Sequence, residues 1–336
     1  MRIGIIGGGG WGLALAKLLS ENLHEVLVWE FNPSFLELLK NTHCNPNLLK
    51  GIVLPDEIQF TSAKNEVTDF SPELIILATP SQFIRSTVSG FPQTLWKSPD
   101  LRAVVNVAKG IEENSLKTID TILQEELPSE VHARICALSG PSHAEEVARR
   151  VPTAVVIAGN DTNLLTMLQE VFSNAYFRVY RSNDLIGVEI GGAVKNIIAI
   201  AAGIIAGLGF GDNAIGALLT RGIVEISRFG IALNAQPETF LGLSGIGDLI
   251  TTATSPHSRN RYVGFEIGKG RKLQDILAEM KMVAEGVATT RSVYQLAQKL
   301  GVEMPIVRQI YQALYEDKDP RQAITELMTR ELKAER

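Results

Sequence analysis

Lys195-Asn196 lies in a run of Gly, Ala, Val and Ile that extends from Gly191 to Gly207. A lysine in such surroundings must snorkel, pair or take part in chemistry, because lysine is rarely buried unpaired. Glu189 is six residues away, not at the i+4 spacing that would pair it with Lys195 on one helix face. Burial lowers a lysine pKa, so Lys195 is suited to giving and taking a proton near neutral pH. Asp248, in Gly245-Ile246-Gly247-Asp248-Leu249, is a lone acid in an apolar, Gly-rich stretch. It could cap a helix instead, a common role for Asp. Ser258-Arg259-Asn260-Arg261 combines backbone amides with guanidinium forks that suit a phosphate, the plain alternative being a solvated basic turn. Lys109 follows the apolar run Ala103 to Val107, and Gly140-Pro141-Ser142 follows the run Ile135 to Leu138. Their plain readings are an exposed loop lysine and a simple turn. His143 and His257 lack metal-ligand spacing, and no cluster of His, Cys and carboxylates points to a metal.

A second constellation concerns a cofactor. Gly7-Gly8-Gly9-Gly10-Trp11-Gly12 satisfies G-x-G-x-x-G directly after a short apolar run and before a helical pattern. Gly7 permits the tight turn, Gly9 lets a pyrophosphate approach the backbone, and Gly12 lets the helix pack on the strand. The helix N-terminus then faces the phosphates. Glu30 stands 23 residues after Gly7, at the end of the next strand, where an acid can bind the adenosine ribose hydroxyls. Strand, turn, helix, strand and acid together specify a dinucleotide site. A carboxylate at position 30 accepts a 2′-hydroxyl and repels a 2′-phosphate, and the first base after it is Lys40. NAD(H) is therefore expected, with NADP(H) as the alternative.

The elements that must position these groups fall into two classes. Ile3 to Ile6, Glu25 to Trp29, Leu74 to Ala78, Ala103 to Val107, Ile135 to Leu138 and Ala154 to Ala158 read as short apolar strands. Helical patterns lie between them, as in Leu13 to Leu19 and Pro33 to Lys40. Strands so uniformly apolar are expected where helices cover both faces of a parallel sheet. The prediction is an α/β, doubly wound (Rossmann-like), mainly parallel sheet over residues 1–182. It puts Lys109 and Gly140 at the carboxyl edge, where such sheets hold ligands. Residues 183–336 show long helical stretches and no convincing strand, so an all-α domain follows.

Composition narrows the function classes. The 336 residues are 45% apolar and 21% charged, which excludes a disordered chain and suits two domains with cores of their own. A net charge of −5 gives no general reason to bind nucleic acid or an anionic membrane. Cys44 and Cys136 form no CxxC, so neither a zinc site nor a disulfide framework is expected, and a reducing cytosol fits best. The uncharged stretch between Lys195 and Asp212 is short of the roughly 20 apolar residues of a membrane span and carries Asn196 and several Gly. It reads as a buried core helix, without membrane insertion.

Taken as a series, the motifs make this sequence similar to the bacterial-type NAD(P)-dependent glycerol-3-phosphate dehydrogenases, from Arg2 to about Asp319. The markers are the glycine turn, Ala108-Lys109-Gly110-Ile111-Glu112, Ser139-Gly140-Pro141-Ser142-His143-Ala144-Glu145-Glu146 and Gly191-Gly192-Ala193-Val194-Lys195-Asn196. Gly245 to Leu249, Ser258 to Asn260, Val283-Ala284-Glu285-Gly286 and Gly301-Val302-Glu303-Met304-Pro305 complete them. The resemblance implies hydride transfer between a nicotinamide and C2 of sn-glycerol 3-phosphate, giving dihydroxyacetone phosphate.

By that likeness Lys195 takes the C2 hydroxyl proton, Lys109 holds substrate and polarises oxygen, and Asp248 binds substrate and orients Lys195. Asn196 and Thr252 support the site. Gly140, Ser142, Ser258, Arg259 and Asn260 match substrate contacts, Arg259 reaching the cofactor too. Gly10, Trp11, Phe31, Lys109, Ala144, Val283 and Glu285 match cofactor positions. Members of that family often carry Ser or Thr where Gly10 stands here, and many have a small residue at the position of Glu30. Kinship further implies a cytoplasmic enzyme supplying glycerol 3-phosphate for phospholipid synthesis. The apolar helical half makes a homodimer plausible. The nearest rival is a related small hydroxy-acid dehydrogenase of the 6-phosphogluconate or 3-hydroxyacid type. A more distant one is a non-catalytic NAD(H)-sensing protein, which would not need a buried lysine.

Overall fold

The computed structural model describes residues 1–280, 282–332 and 334–335. Eight strands form one sheet: β1 (Arg2–Ile6), β2 (Glu25–Trp29), β3 (Gln59–Thr61), β4 (Leu74–Leu77), β5 (Ala103–Asn106), β6 (Ile135–Ser139), β7 (Thr153–Ala158) and β8 (Phe177–Ser182). Their order is β3-β2-β1-β4-β5-β6-β7-β8. The first six run parallel, β7 is antiparallel to β6, and β8 runs parallel to β7. β1 therefore has β2 on one side and β4 on the other, so successive connections diverge there and leave a crevice at its carboxyl end.

The strands read from sequence are all present, and two more join them. β3 has three residues, too few for a periodic signal, and Gln59 on it is exposed. β8 alternates buried Phe177 and Val179 with exposed Arg178 and Tyr180, the pattern of an edge strand covered on one face. The central strands β4, β5 and β6 are buried at every position, which is why they read as unbroken apolar runs.

Below β8 the chain turns helical. Asp184 accepts the backbone N–H of Gly187 at 3.0 Å and so caps a 23-residue helix, Leu185–Gly207. It is long and apolar enough to cross a membrane, yet 89% of its most apolar window is buried within the protein. Its apolar residues go all round because other helices surround it. We refer to it as the core helix. The helix Arg259–Gly268 crosses it at Gly203 and Gly264, where backbones meet so closely that a Cβ on Gly264 would overlap the Ile200 carbonyl. Further helices, Asp212–Ala232, Asp248–Thr254, Glu285–Leu300 and Pro305–Tyr315, complete the second domain.

Candidate active site

A cleft of about 400 Å³ runs from the glycine turn to the core helix. Gly7 closes β1 with φ +122°, a value that L side chains rarely adopt, and a Cβ there would lie 2.8 Å from the Ala78 carbonyl. A Cβ on Gly12 would overlap the Gly7 carbonyl oxygen, whereas Gly9 has open space before it. The turn therefore leaves a bare backbone cradle at the start of the helix Gly10–Glu21, the shape and polarity a pyrophosphate needs. Glu30 is 6% exposed at the end of β2, where its Oε1 accepts the Asn32 N–H at 2.7 Å. Burial raises its pKa, and backbone N–H groups of Asn32, Gly8 and Phe31 oppose that rise. The Thr79 hydroxyl, just past β4 and lining the cleft, is buried without a hydrogen-bond partner. Cradle, acid and orphaned hydroxyl together fit a dinucleotide.

At the far end Asp248 joins both lysines. Lys195 Nζ donates to Asp248 Oδ1 at 2.9 Å and to Thr252 Oγ1 at 2.6 Å. Lys109 Nζ donates to Asp248 Oδ2 at 2.6 Å and to the Gly140 carbonyl at 3.0 Å. Asp248 opens the helix Asp248–Thr254 directly after a π-helical turn at Leu243–Gly247 and does not cap it. Such turns are rare and recur at functional sites. Thr252 sits one helical turn on, so its hydroxyl reaches Asp248 Oδ1 at 3.1 Å. Burial pushes Lys195 down to about 8, with Asp248 opposing and Lys109 adding to the fall. Burial alone would raise Asp248, but Lys109 and Lys195 together hold it below the usual carboxylate range.

Secondary contacts stiffen this arrangement. Asn196 Nδ2 donates to the Lys109 carbonyl at 3.2 Å, and Asn260 Nδ2 donates to Asn196 Oδ1 at 2.9 Å. Asn260 Oδ1 in turn accepts the Gly286 N–H at 2.9 Å. Glu285 bridges to the first domain by accepting the N–H groups of Ser81 at 2.7 Å and Lys109 at 3.4 Å. Ser258 caps the helix Arg259–Gly268, and Arg259 donates to the Val283 carbonyl at 2.8 Å.

Nearly every residue singled out from sequence lines this one cleft: Gly7, Gly9, Gly10, Trp11, Glu30, Phe31, Lys109, Ser142, Ala144, Lys195, Asn196, Asp248, Thr252, Ser258, Arg259, Asn260, Val283 and Glu285. Gly12 and Gly140 stay behind it, Gly12 under the helix and Gly140 offering only its carbonyl to Lys109 and, at 2.9 Å, to the Ser142 hydroxyl. Several lining residues carry no site role in the sequence reading. Thr79 stands two residues past β4, so the carboxyl-edge rule that selected Lys109 would have found it too. His143 lines the cleft with its ring centroid 5.9 Å from that of His257 and its Nε2 buried without a partner. No group of three or more His, Cys, Asp or Glu among the described residues is placed to hold a metal ion.

A doubly wound sheet with a phosphate-ready glycine turn, joined to a helical domain carrying a buried lysine–aspartate–lysine set, defines an NAD(P)-dependent dehydrogenase. The model of the NAD-dependent glycerol-3-phosphate dehydrogenase N-terminus matches residues 2–165, and that of its C-terminus matches residues 184–325. The chain belongs to the NAD-dependent glycerol-3-phosphate dehydrogenase family. It is 49% identical to a glycerol-3-phosphate dehydrogenase [NAD(P)+] of Syntrophotalea carbinolica, over 100% of this chain and 99% of that one. It is 48% identical to one from a Geobacter species, over 99% and 98% of the two chains. The crystal structure of glycerol-3-phosphate dehydrogenase from Coxiella burnetii superposes with a TM-score of 0.90 at 32% identity, covering 98% of this chain and 99% of that one.

Proposed function

We propose that the protein interconverts sn-glycerol 3-phosphate and dihydroxyacetone phosphate, Lys195 serving as the proton donor and acceptor at the C2 oxygen. The observation that carries this reading is the Lys195–Asp248–Lys109 set at the end of a dinucleotide cleft. Gly7 to Trp11, Glu30 and Thr79 would hold the dinucleotide, whose nicotinamide supplies the hydride to C2 or accepts it. A hydride leaving C2 requires the hydroxyl proton to leave as well, so a base of suitable pKa must stand at that oxygen. Lys195, brought to about 8 by burial, supports that role in both directions. Asp248 keeps the lysine oriented, while the Lys109 ammonium offers positive charge to an oxygen that becomes negative. Lys109 and Lys195 share the single carboxylate of Asp248, which leaves positive charge beside the reacting oxygen and favours a phosphorylated substrate. Ser142, Ser258, Arg259 and Asn260 form the surface available to that phosphate.

Residues 1–182 would serve as the dinucleotide domain and 183–336 as the substrate domain. The buried Glu30 supports a preference for NADH over NADPH. Exposed Val224, Ile231 and Leu241 on the helical half support a homodimer. A cytoplasmic location and a supply of glycerol 3-phosphate to phospholipid synthesis follow from the family resemblance.

Oxidation of NADH and NADPH with dihydroxyacetone phosphate, run side by side, tests the reading. Rapid NADH turnover and slow NADPH turnover are expected. Equal rates would remove the Glu30 argument alone. No turnover by folded, NADH-binding protein would remove the substrate.

A further inference from the structure

Glu189 is a carboxyl group for which proton transfer has no use. It stands on the core helix six residues before Lys195, about 240° around a helix of 3.6 residues per turn, and so faces away from it. Among the described residues, its neighbours are the Asp120 carboxylate and neutral hydrogen-bond donors, with no cation among them. Its Oε1 accepts from Asn106 Nδ2 at 3.1 Å, and both its oxygens accept the Asp120 backbone N–H at 3.2 Å. Asn106 is the last residue of β5. Its carboxamide straddles the next turn of chain, with Oδ1 accepting the Ala108 N–H at 2.9 Å and Nδ2 donating to the Ala108 carbonyl at 3.3 Å. Lys109 comes next, and its ammonium leaves this turn to meet Asp248 at 2.6 Å.

We propose that Glu189 is the positioning residue for Lys109, acting through Asn106 across the seam between the two domains. The core helix then sets both lysines: Lys195 from its own side chain, and Lys109 through the Glu189–Asn106–Ala108 chain of hydrogen bonds. Asn196 assists from the same helix by holding the Lys109 carbonyl. Without the Glu189 carboxyl, the Asn106 carboxamide loses its anchor and is free to rotate, and the two bonds that shape the turn before Lys109 weaken. Displacement of Lys109 by a fraction of an ångström would disturb the oxygen it polarises, not the distant cradle of the cofactor. Desolvation, with the Asp120 carboxylate adding to it, pushes Glu189 up to about 8, so the neutral amide of Gln is a close mimic.

The inference rests on the role given to Lys109 above, and a double-mutant cycle in the full chain separates the two. Glu189→Ala is expected to lower kcat for dihydroxyacetone phosphate reduction about tenfold or more, since small misplacements of catalytic groups cost that much. NADH affinity, read by fluorescence titration, should stay within about twofold of wild type, and Glu189→Gln should keep kcat within about threefold. Placed on Lys109→Ala, Glu189→Ala should add less than about twofold, because the group it positions is gone. Wild-type kcat in Glu189→Ala, or a full additional loss on the Lys109→Ala background, overturns the proposal while the Lys109 assignment stands. Wild-type turnover by Lys109→Ala removes that assignment and the proposal with it. Should Glu189→Ala not fold, Asn106→Ala carries the same test: loss on the wild-type background and none on Lys109→Ala.

Discussion

One buried carboxylate shared by two lysines sets the chemistry at the scale of single residues. Lys195 balances the cost of desolvating an ammonium against the attraction of Asp248, and desolvation wins, which brings its pKa down to about 8. The sign of the resulting pH dependence differs with direction. Glycerol 3-phosphate oxidation needs the neutral amine, so its kcat/KM should rise as pH increases through about 8. Dihydroxyacetone phosphate reduction needs the ammonium, so its kcat/KM should fall over the same range. A pH–rate series in both directions checks this, and two parallel profiles would count against Lys195 as the proton carrier. Lys195→Met should retain NADH binding and lose about 10²- to 10⁴-fold in kcat, the usual worth of a positioned acid or base. Lys195, Asp248 and the glycine turn were legible in the sequence because each is chemically out of place among its neighbours. Thr79 carries only its place past a strand end, and Asn106 carries no signal at all, since a carboxamide there looks like any other until its partners are known.

Elements carry their own predictions. Glu225, on the helix Asp212–Ala232, is 5% exposed and accepts the N–H groups of Ile306 at 2.8 Å and Val307 at 3.3 Å, capping the helix Pro305–Tyr315 from a neighbour. Removing it by Glu225→Ala leaves two amides unsatisfied and should cost about 1–3 kcal/mol in denaturant unfolding. Burial raises its pKa to about 7 against the opposing helix amides. The folded state therefore binds the proton more tightly, and stability present below the ordinary carboxyl pKa is lost as pH rises through about 7. Glu225→Gln should flatten that part of the pH–stability curve, and an unchanged curve would assign it to other groups. The six strands with strong apolar runs were readable one by one, because burial on both faces leaves little room for polar residues. Edge strand β8 escaped because solvent covers one of its faces, and β3 because three residues carry no period.

For the whole molecule, a net negative charge coexists with two lysines that share one carboxylate at the substrate end of the cleft. The chain carries a net charge of −5 while Lys109, Lys195 and Arg259 converge on one cleft. Added salt screens the attraction for a phosphate dianion, so raising ionic strength from about 0.05 to 0.5 M should increase KM for dihydroxyacetone phosphate roughly threefold or more. A KM that ignores salt would argue for a substrate held without charge. The homodimer reading predicts a light-scattering mass of about twice the 36.6 kDa of one chain, and a monomer mass would discard it.

The sequence by itself determined the order of α/β and helical halves, the dinucleotide turn and the residue types able to move a proton. These are local properties: apolar period, glycine spacing, and a charge where neighbours are apolar. Only tertiary structure decided which groups meet. Lys109 lies 139 positions from Asp248, and Lys195 lies 53 positions from it, so no spacing rule could join the three. The antiparallel pairing of β6 with β7 and the partnership of Glu189 with Asn106 were likewise decided by packing. A buried polar group takes whatever partner the fold brings within reach, because leaving it unpaired costs more than any local preference can return.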